Sequence, residues 1–331
     1  MNQNPLKKNR LGLRGILLMS GGVLVASSIF LLPDLRLIQG SAPTTALPDP
    51  LATVAPSAEP DESSDPSSGA GIQSREAAAG PDDATRTLVP VYWLGDVNGT
   101  DRLFREFLVT PPDAASDPIA DAVRLMTAGQ PLDPDYYSAW RAAPSVSSSI
   151  STKNVITLDL PSDAVSERLD EDEARLAVQQ LVYTATAAAA DAGLITGGES
   201  SSVVLLVDGA ADYRAFGSVD LGGEWTRDTS LLAPVWIIDP QEGVEVDTTS
   251  LIVHGLGPSS GDSVTWRIHR SSEGATAGSA DLFQGGSVAI LPTESAPGAY
   301  SFSVTLPPGR YEITVSAPSG DAEDTKTVVV R

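Results

Sequence analysis

The sequence predicts four parts: an amino-terminal transmembrane helix, a disordered linker, an α+β domain and a carboxyl-terminal all-β sandwich. Three observations predict this. Residues 15–32 are uncharged and follow four cations, Lys7, Lys8, Arg10 and Arg14. Residues 40–87 hold seven prolines, eight acids and two arginines but no aromatic. From residue 88 strands alternate with two helical patterns, and beyond residue 231 the hydrophobic period becomes two.

Wound as a helix at about 1.5 Å per residue, residues 15–32 reach roughly 27 Å, close to the hydrocarbon thickness of a bilayer. The cations before them are expected to stay in the cytoplasm. Residues 1–14 are then a cytoplasmic basic segment, 15–32 a single pass through the cell membrane, and the rest extracytoplasmic. A cleaved secretory signal is the alternative, but its apolar core is usually about 7–15 residues and ends in a small-x-small site. Here Pro33, Asp34, Leu35 and Arg36 follow, and Ala26-Ser27-Ser28 lies inside the run. Both readings put the bulk of the chain outside.

Composition narrows the partners. The formal charge is −22, and without the first 14 residues 17 cations face 43 acids, or −26. Such a body repels nucleic acid and anionic headgroups, so no nucleic-acid partner is expected. The chain has no cysteine, which excludes disulfides, thiolate metal sites, cysteine nucleophiles and lipid attachment at cysteine. Residues 33–87 cannot bury enough apolar surface to offset their ordering entropy. They read as a Pro/Ser/Ala/acidic linker whose reach is on the order of 40 Å.

Residues 88–230 read as the α+β domain. Strands at 88–94 and 103–109 flank Asn98-Gly99, a natural hairpin turn. Asp117-Pro118 caps and opens a helix with Ile119, Ala122, Val123 and Met126 on one face, stopped by Gly129 and Pro131. Two strands follow around Lys153-Asn154. Asp170 caps a second helix with Glu173 three residues on, and Ala174, Ala177, Val178, Leu181, Val182, Ala185, Ala188 and Ala189 form its apolar face up to Gly193. Residues 203–207 supply a last strand, and the order implies helices packed on one sheet face.

Residues 231–331 read as short strands without helix. Val264/Trp266/Ile268, Tyr300/Phe302/Val304/Leu306 and Tyr311/Ile313/Val315 alternate with polar residues, as half-buried strands require. A β-sandwich without a disulfide follows.

Within these patterns the chain resembles a known family. Val91-Tyr92-Trp93-Leu94, Ala122-Val123-Arg124-Leu125-Met126-Thr127-Ala128-Gly129, Gln180-Leu181-Val182-Tyr183-Thr184 and Val207-Asp208-Gly209 resemble a GerMN domain, the sporulation and spore-germination module. Pro240-Gln241-Glu242-Gly243, Val253-His254-Gly255 and the stretch from Gly298 to Phe302 are similar to the immunoglobulin-like domain that often follows GerMN in such bacterial proteins. The resemblance implies a non-enzymatic cell-envelope protein that contacts other envelope proteins or assembles with itself. It does not imply that the organism makes spores.

No residue set announces catalysis, a cofactor or a metal. Asp96-x-Asn98-Gly99-x-Asp101 lacks the later glutamate of a calcium loop. His254 and His269, the only histidines, lack triad partners and helical zinc spacing. Acids 170–173 are explained by helix capping. A possible contact surface lies in the loop after the first helix, where Tyr136, Tyr137, Trp140 and Arg141 are residue types that dominate interfaces and sugar stacking. Those rings could alternatively fold back to complete the core, or stack on peptidoglycan or another wall carbohydrate. A wall hydrolase ranks third. Trp225 is expected to wedge the two domains together.

Overall fold

The computed structural model describes residues 87–111, 117–195, 200–259, 261–271, 281–291 and 297–331. The expected membrane helix at 15–32 and the linker at 33–87, save residue 87, lie outside the described residues. Among the described residues no helix is long and apolar enough to cross a membrane. The fold is mostly β, with two α-helices in its amino-terminal half.

Strands β1 (Leu88–Val97) and β2 (Thr100–Val109) pair antiparallel around Asn98-Gly99. Both turn residues have positive φ, 54° and 83°, the backbone of a two-residue hairpin whose twist matches its strands. Helix α1 (Pro118–Ala128) starts at Asp117, whose carboxylate accepts from the Ala120 N–H, and stops where the Gly129 N–H reaches Leu125 O. Strand β3 (Tyr136–Tyr137) adds to the free edge of β1 opposite Leu94 and Gly95. Strands β4 (Ser147–Ile150) and β5 (Val155–Leu160) are antiparallel, and α2 (Glu171–Asp191) leads to β6 (Ser202–Val207), parallel to β5. The short pair β7 (Arg214–Ala215) and β8 (Val219–Asp220) follows.

The expected single sheet is instead two three-stranded sheets, β2-β1-β3 and β4-β5-β6. The reason is α2, which is buried all round rather than on one face. Its Ala174–Ala189 stripe joins the main core, while Leu176, Tyr183 and Ala187 pack against Tyr92, Leu94 and Leu103 on the other side of β1. Its buried polar residues are bonded. Thr184 Oγ1 accepts the Tyr92 N–H at 3.0 Å, and Gln180 donates to the Tyr92 carbonyl at 2.9 Å. Helix side chains thus satisfy the β1 backbone where a neighbouring strand would otherwise pair.

The second half holds β9 (Trp236–Asp239), β10 (Val244–Val246), β11 (Ser250–Gly257), β12 (Ser263–Ser271), β13 (Asp281–Ala289), β14 (Gly298–Thr305), β15 (Gly309–Ser316) and β16 (Glu323–Val330). They form a five-stranded sheet, β10-β16-β15-β12-β13, and a three-stranded sheet, β14-β11-β9. Val264, Ile268, Ile313, Val315 and Val328 from the first share one core with Val253, Tyr300 and Val304 from the second. Gly255 is opposite Tyr300, and a side chain there would overlap the hydroxyl that donates to Trp236 O at 3.1 Å. Sequence reading missed β10 and β13. The run Gln284-Gly285-Gly286-Ser287 has no apolar alternation, because β13 is an outer strand.

Candidate functional site

The loop between α1 and β4 divides its aromatic residues between three places. Trp140 is buried, donates its indole N–H to Ala177 O of α2 at 2.9 Å and packs edge-on to Phe216 at 5.1 Å. Tyr136 is buried and stacked on Phe104 with centroids 4.6 Å apart. Tyr137 stays partly exposed, and desolvation, followed by its hydrogen bond to Asp101, pushes its hydroxyl pKa up. Arg141 lies on the surface, 3.0 Å from Glu167. Of the four residues expected in a contact surface, Tyr136 and Trp140 are therefore buried in the core, and Tyr137 and Arg141 remain exposed. In β3, Tyr136 points inward and Tyr137 outward, because successive strand side chains alternate, and the Trp140 ring finds a carbonyl in the core.

Tyr136 belongs to a constellation the sequence did not single out. Its neighbours come from both halves of the molecule. Glu106 of β2 accepts the backbone N–H groups of Leu132 and Asp133, each at 2.9 Å, which fixes the loop. Lys326 of β16 reaches across: its ammonium contacts the Asp133 carboxylate, donates to the Tyr136 hydroxyl at 2.8 Å and lies 4.2 Å from the centre of that ring. The Tyr136 hydroxyl donates in turn to Asp324 at 3.0 Å, and Asp324 also accepts the Ile237 N–H at 2.7 Å. Asp324 stands 3.5 Å from the Lys326 ammonium. Lys326 is 2% exposed, Asp133 3%, Glu106 2% and Asp324 6%, so these charges are out of water.

That burial sets the electrostatics. Desolvation raises the Asp324 carboxyl above its ordinary 3.8, against the pull of Lys326 and of its hydrogen bonds. It raises Glu106 above 4.5, against its two backbone N–H groups and Lys326. Burial and the Asp324 charge push the Tyr136 hydroxyl well up, so it stays a neutral donor. One cation among three carboxyl groups holds together only if some of the acids keep their protons.

Further contacts cross the same boundary. The Gln241 side-chain amide pairs with both backbone groups of Phe107, at 2.5 and 3.0 Å, in the manner of an added strand. Asn98 in the β1–β2 turn donates to Asp321 O. Trp225, expected at this boundary, is elsewhere: its backbone pairs with Val203 of β6 at 2.8 Å both ways, within the first half. Asp96, Asn98 and Asp101 form the hairpin end, and His254 and His269 lie on β11 and β12. Among the described residues no cluster of His, Asp or Glu could hold a metal ion.

Comparison with known proteins matches residues 90–212 to the family described as Germane: Sporulation and spore germination. The tandem GerMN domains of the sporulation protein GerM from Bacillus subtilis are similar to the chain at 16% identity and a TM-score of 0.34, over 46% of this chain and 49% of that one. The chain thus spans about half the length of that structure. The first GerMN domain of the same protein is similar at 15% identity and a TM-score of 0.32, over 43% of this chain and 98% of that one. No curated protein matches.

Proposed function

Because residues 90–212 form a GerMN-type domain of the sporulation and spore-germination type, we propose that this chain is a non-catalytic, membrane-anchored cell-envelope protein that works through protein contacts or self-assembly. In this reading residues 15–32 anchor it in the cell membrane, the acidic linker gives reach, and an immunoglobulin-like sandwich extends the GerMN module outward. The observation that carries it is the junction. Lys326, Tyr136, Asp133 and Gln241 pin the second module to the first, so both offer a partner one composite surface in fixed relation. Fixed geometry cuts the ordering cost of docking.

Crosslinking in living cells followed by recovery of the membrane fraction tests this. The expected result is a reproducible envelope partner or a crosslinked homo-oligomer, weakened by changing Tyr137 and Arg141 together. Recovery of the monomer alone, at every linker length, would overturn it. Binding to wall polymer draws less support, since two of the three rings assigned to stacking are buried and only Tyr137 stays accessible. Cosedimentation of the extracytoplasmic part with isolated peptidoglycan separates the two readings.

A further inference from the structure

We propose that Lys326 and Asp133 become joined by a side-chain amide that the folded protein forms itself, welding the sandwich covalently to the first module. The two groups meet end to end inside the junction, one on β16 and one on the loop before β3, 193 residues apart. Lysine and aspartate are the reactive types for such a condensation, an amine nucleophile and a carboxyl carbon. The surface pairs Arg141–Glu167 and Arg331–Glu245 have neither the burial nor the amine.

The chemistry balances without an added reagent. The Lys326 ammonium passes a proton to the Asp133 carboxylate, leaving a neutral amine and a carboxylic acid. The amine lone pair attacks Cγ of Asp133, the N–C bond forms, and the C–O bond to one carboxyl oxygen breaks. That oxygen leaves as water, carrying the acid proton and one proton from nitrogen. The products are one amide and one water.

The surroundings favour each step. Burial makes a separated ammonium and carboxylate costly, which holds the two groups in direct contact and favours a product without charges. Fixed contact replaces a bimolecular encounter. Glu106 anchors Asp133 through its backbone N–H, and the Asp133 side chain also accepts the Asp135 N–H at 2.9 Å, so the carbon under attack is held still. The Tyr136 hydroxyl, bonded to both the Lys326 nitrogen and Asp324, gives protons a path between amine and acid. Asp324, 3.5 Å from the amine and bonded to the Tyr136 hydroxyl, is the carboxyl group that shuttles protons with the amine through that hydroxyl. Condensation removes two buried charges, and the exclusion of water opposes the reverse reaction.

Mass spectrometry of the full chain, denatured and cut with trypsin, tests the inference and needs no partner, so it reads independently of the proposed contacts. The expected product is residues 125–141 joined to residues 311–331, lighter by one water than the two together, with no cut after Lys326. Asp133→Ala and Lys326→Arg should each abolish the joined species, and Asp324→Asn should slow its appearance in freshly refolded protein. Separate peptides with complete cutting after Lys326 in the unaltered chain would overturn the inference and leave an ion pair only. That reading comes from the native protein, so it stands even if a variant fails to fold.

Discussion

The two modules hide their polar groups in opposite ways. In the GerMN-type module a helix buried on every side carries Gln179, Gln180, Thr184 and Thr186 inward, and each finds a nearby partner. In the sandwich most strands alternate, apolar residues inside and polar residues outside, and among the described residues its buried charged exceptions are Asp324 and Lys326 of β16, while Thr314 and Ser316 of β15 bury hydroxyls. The two charged exceptions are where the sandwich meets the other module. Buried polar residues here mark places where one element completes another, and the cost of removing them should scale with how far they are from water.

The sharpest break is Lys326→Met. It leaves the carboxyl groups of Asp133, Asp324 and Glu106 buried with neither a cation nor an amide among them, and should cost at least about 3–5 kcal/mol in denaturant unfolding. A loss below about 1 kcal/mol would show that the junction is wetter than its burial implies. Next comes Gln180→Ala, which strands the Tyr92 carbonyl at the free edge of β1. A destabilisation of about 1–3 kcal/mol is expected, and hydrogen exchange should speed up in β1 while β12 and β15 stay protected.

A smaller effect comes from pH. Glu106 and Asp324 have folded values raised above 4.5 and 3.8, so the folded state keeps protons that the unfolded chain releases. Their contribution is fully present below those ordinary values and is lost as pH rises through the raised ones. Asp324 is faced by Lys326, Tyr136 and Asp133, and Glu106 by Lys326 and Asp133. Thermal melting should therefore rise as pH falls from neutral toward the ordinary carboxylate range, and Asp324→Asn should flatten that slope. A native slope falling toward acid would contradict the assignment. The smallest effect is Arg141→Ala, where an exposed ion pair is removed, and urea titration should show a change within about 1 kcal/mol.

How much was legible follows the same division. The hairpin at Asn98-Gly99, the caps at Asp117 and Asp170 and the inward sets on β12, β14 and β15 depend on local chemistry, and a one-dimensional pattern carries local chemistry. What the sequence hid was non-local. Nothing around Lys326 in Thr325-Lys326-Thr327 separates a buried ammonium from an exposed one, since its partner lies 193 residues earlier. Tyr136 and Tyr137 look alike in sequence, yet a two-residue strand sends one inward and the other out. Trp225 was misplaced because an aromatic near a domain boundary looks like a wedge, whereas its backbone pairs with β6.

The separation between Asp133 and Lys326 also has a kinetic side. Closing a loop that long has an entropic barrier that no local structure can lower until both modules have formed. The first module is synthesised well before β16, and through that interval its loop carries carboxylates with no counter-charge. Docking of β16 against that loop then waits for both modules, and a chaperone or protease that meets the nascent protein before that docking meets the loop still open.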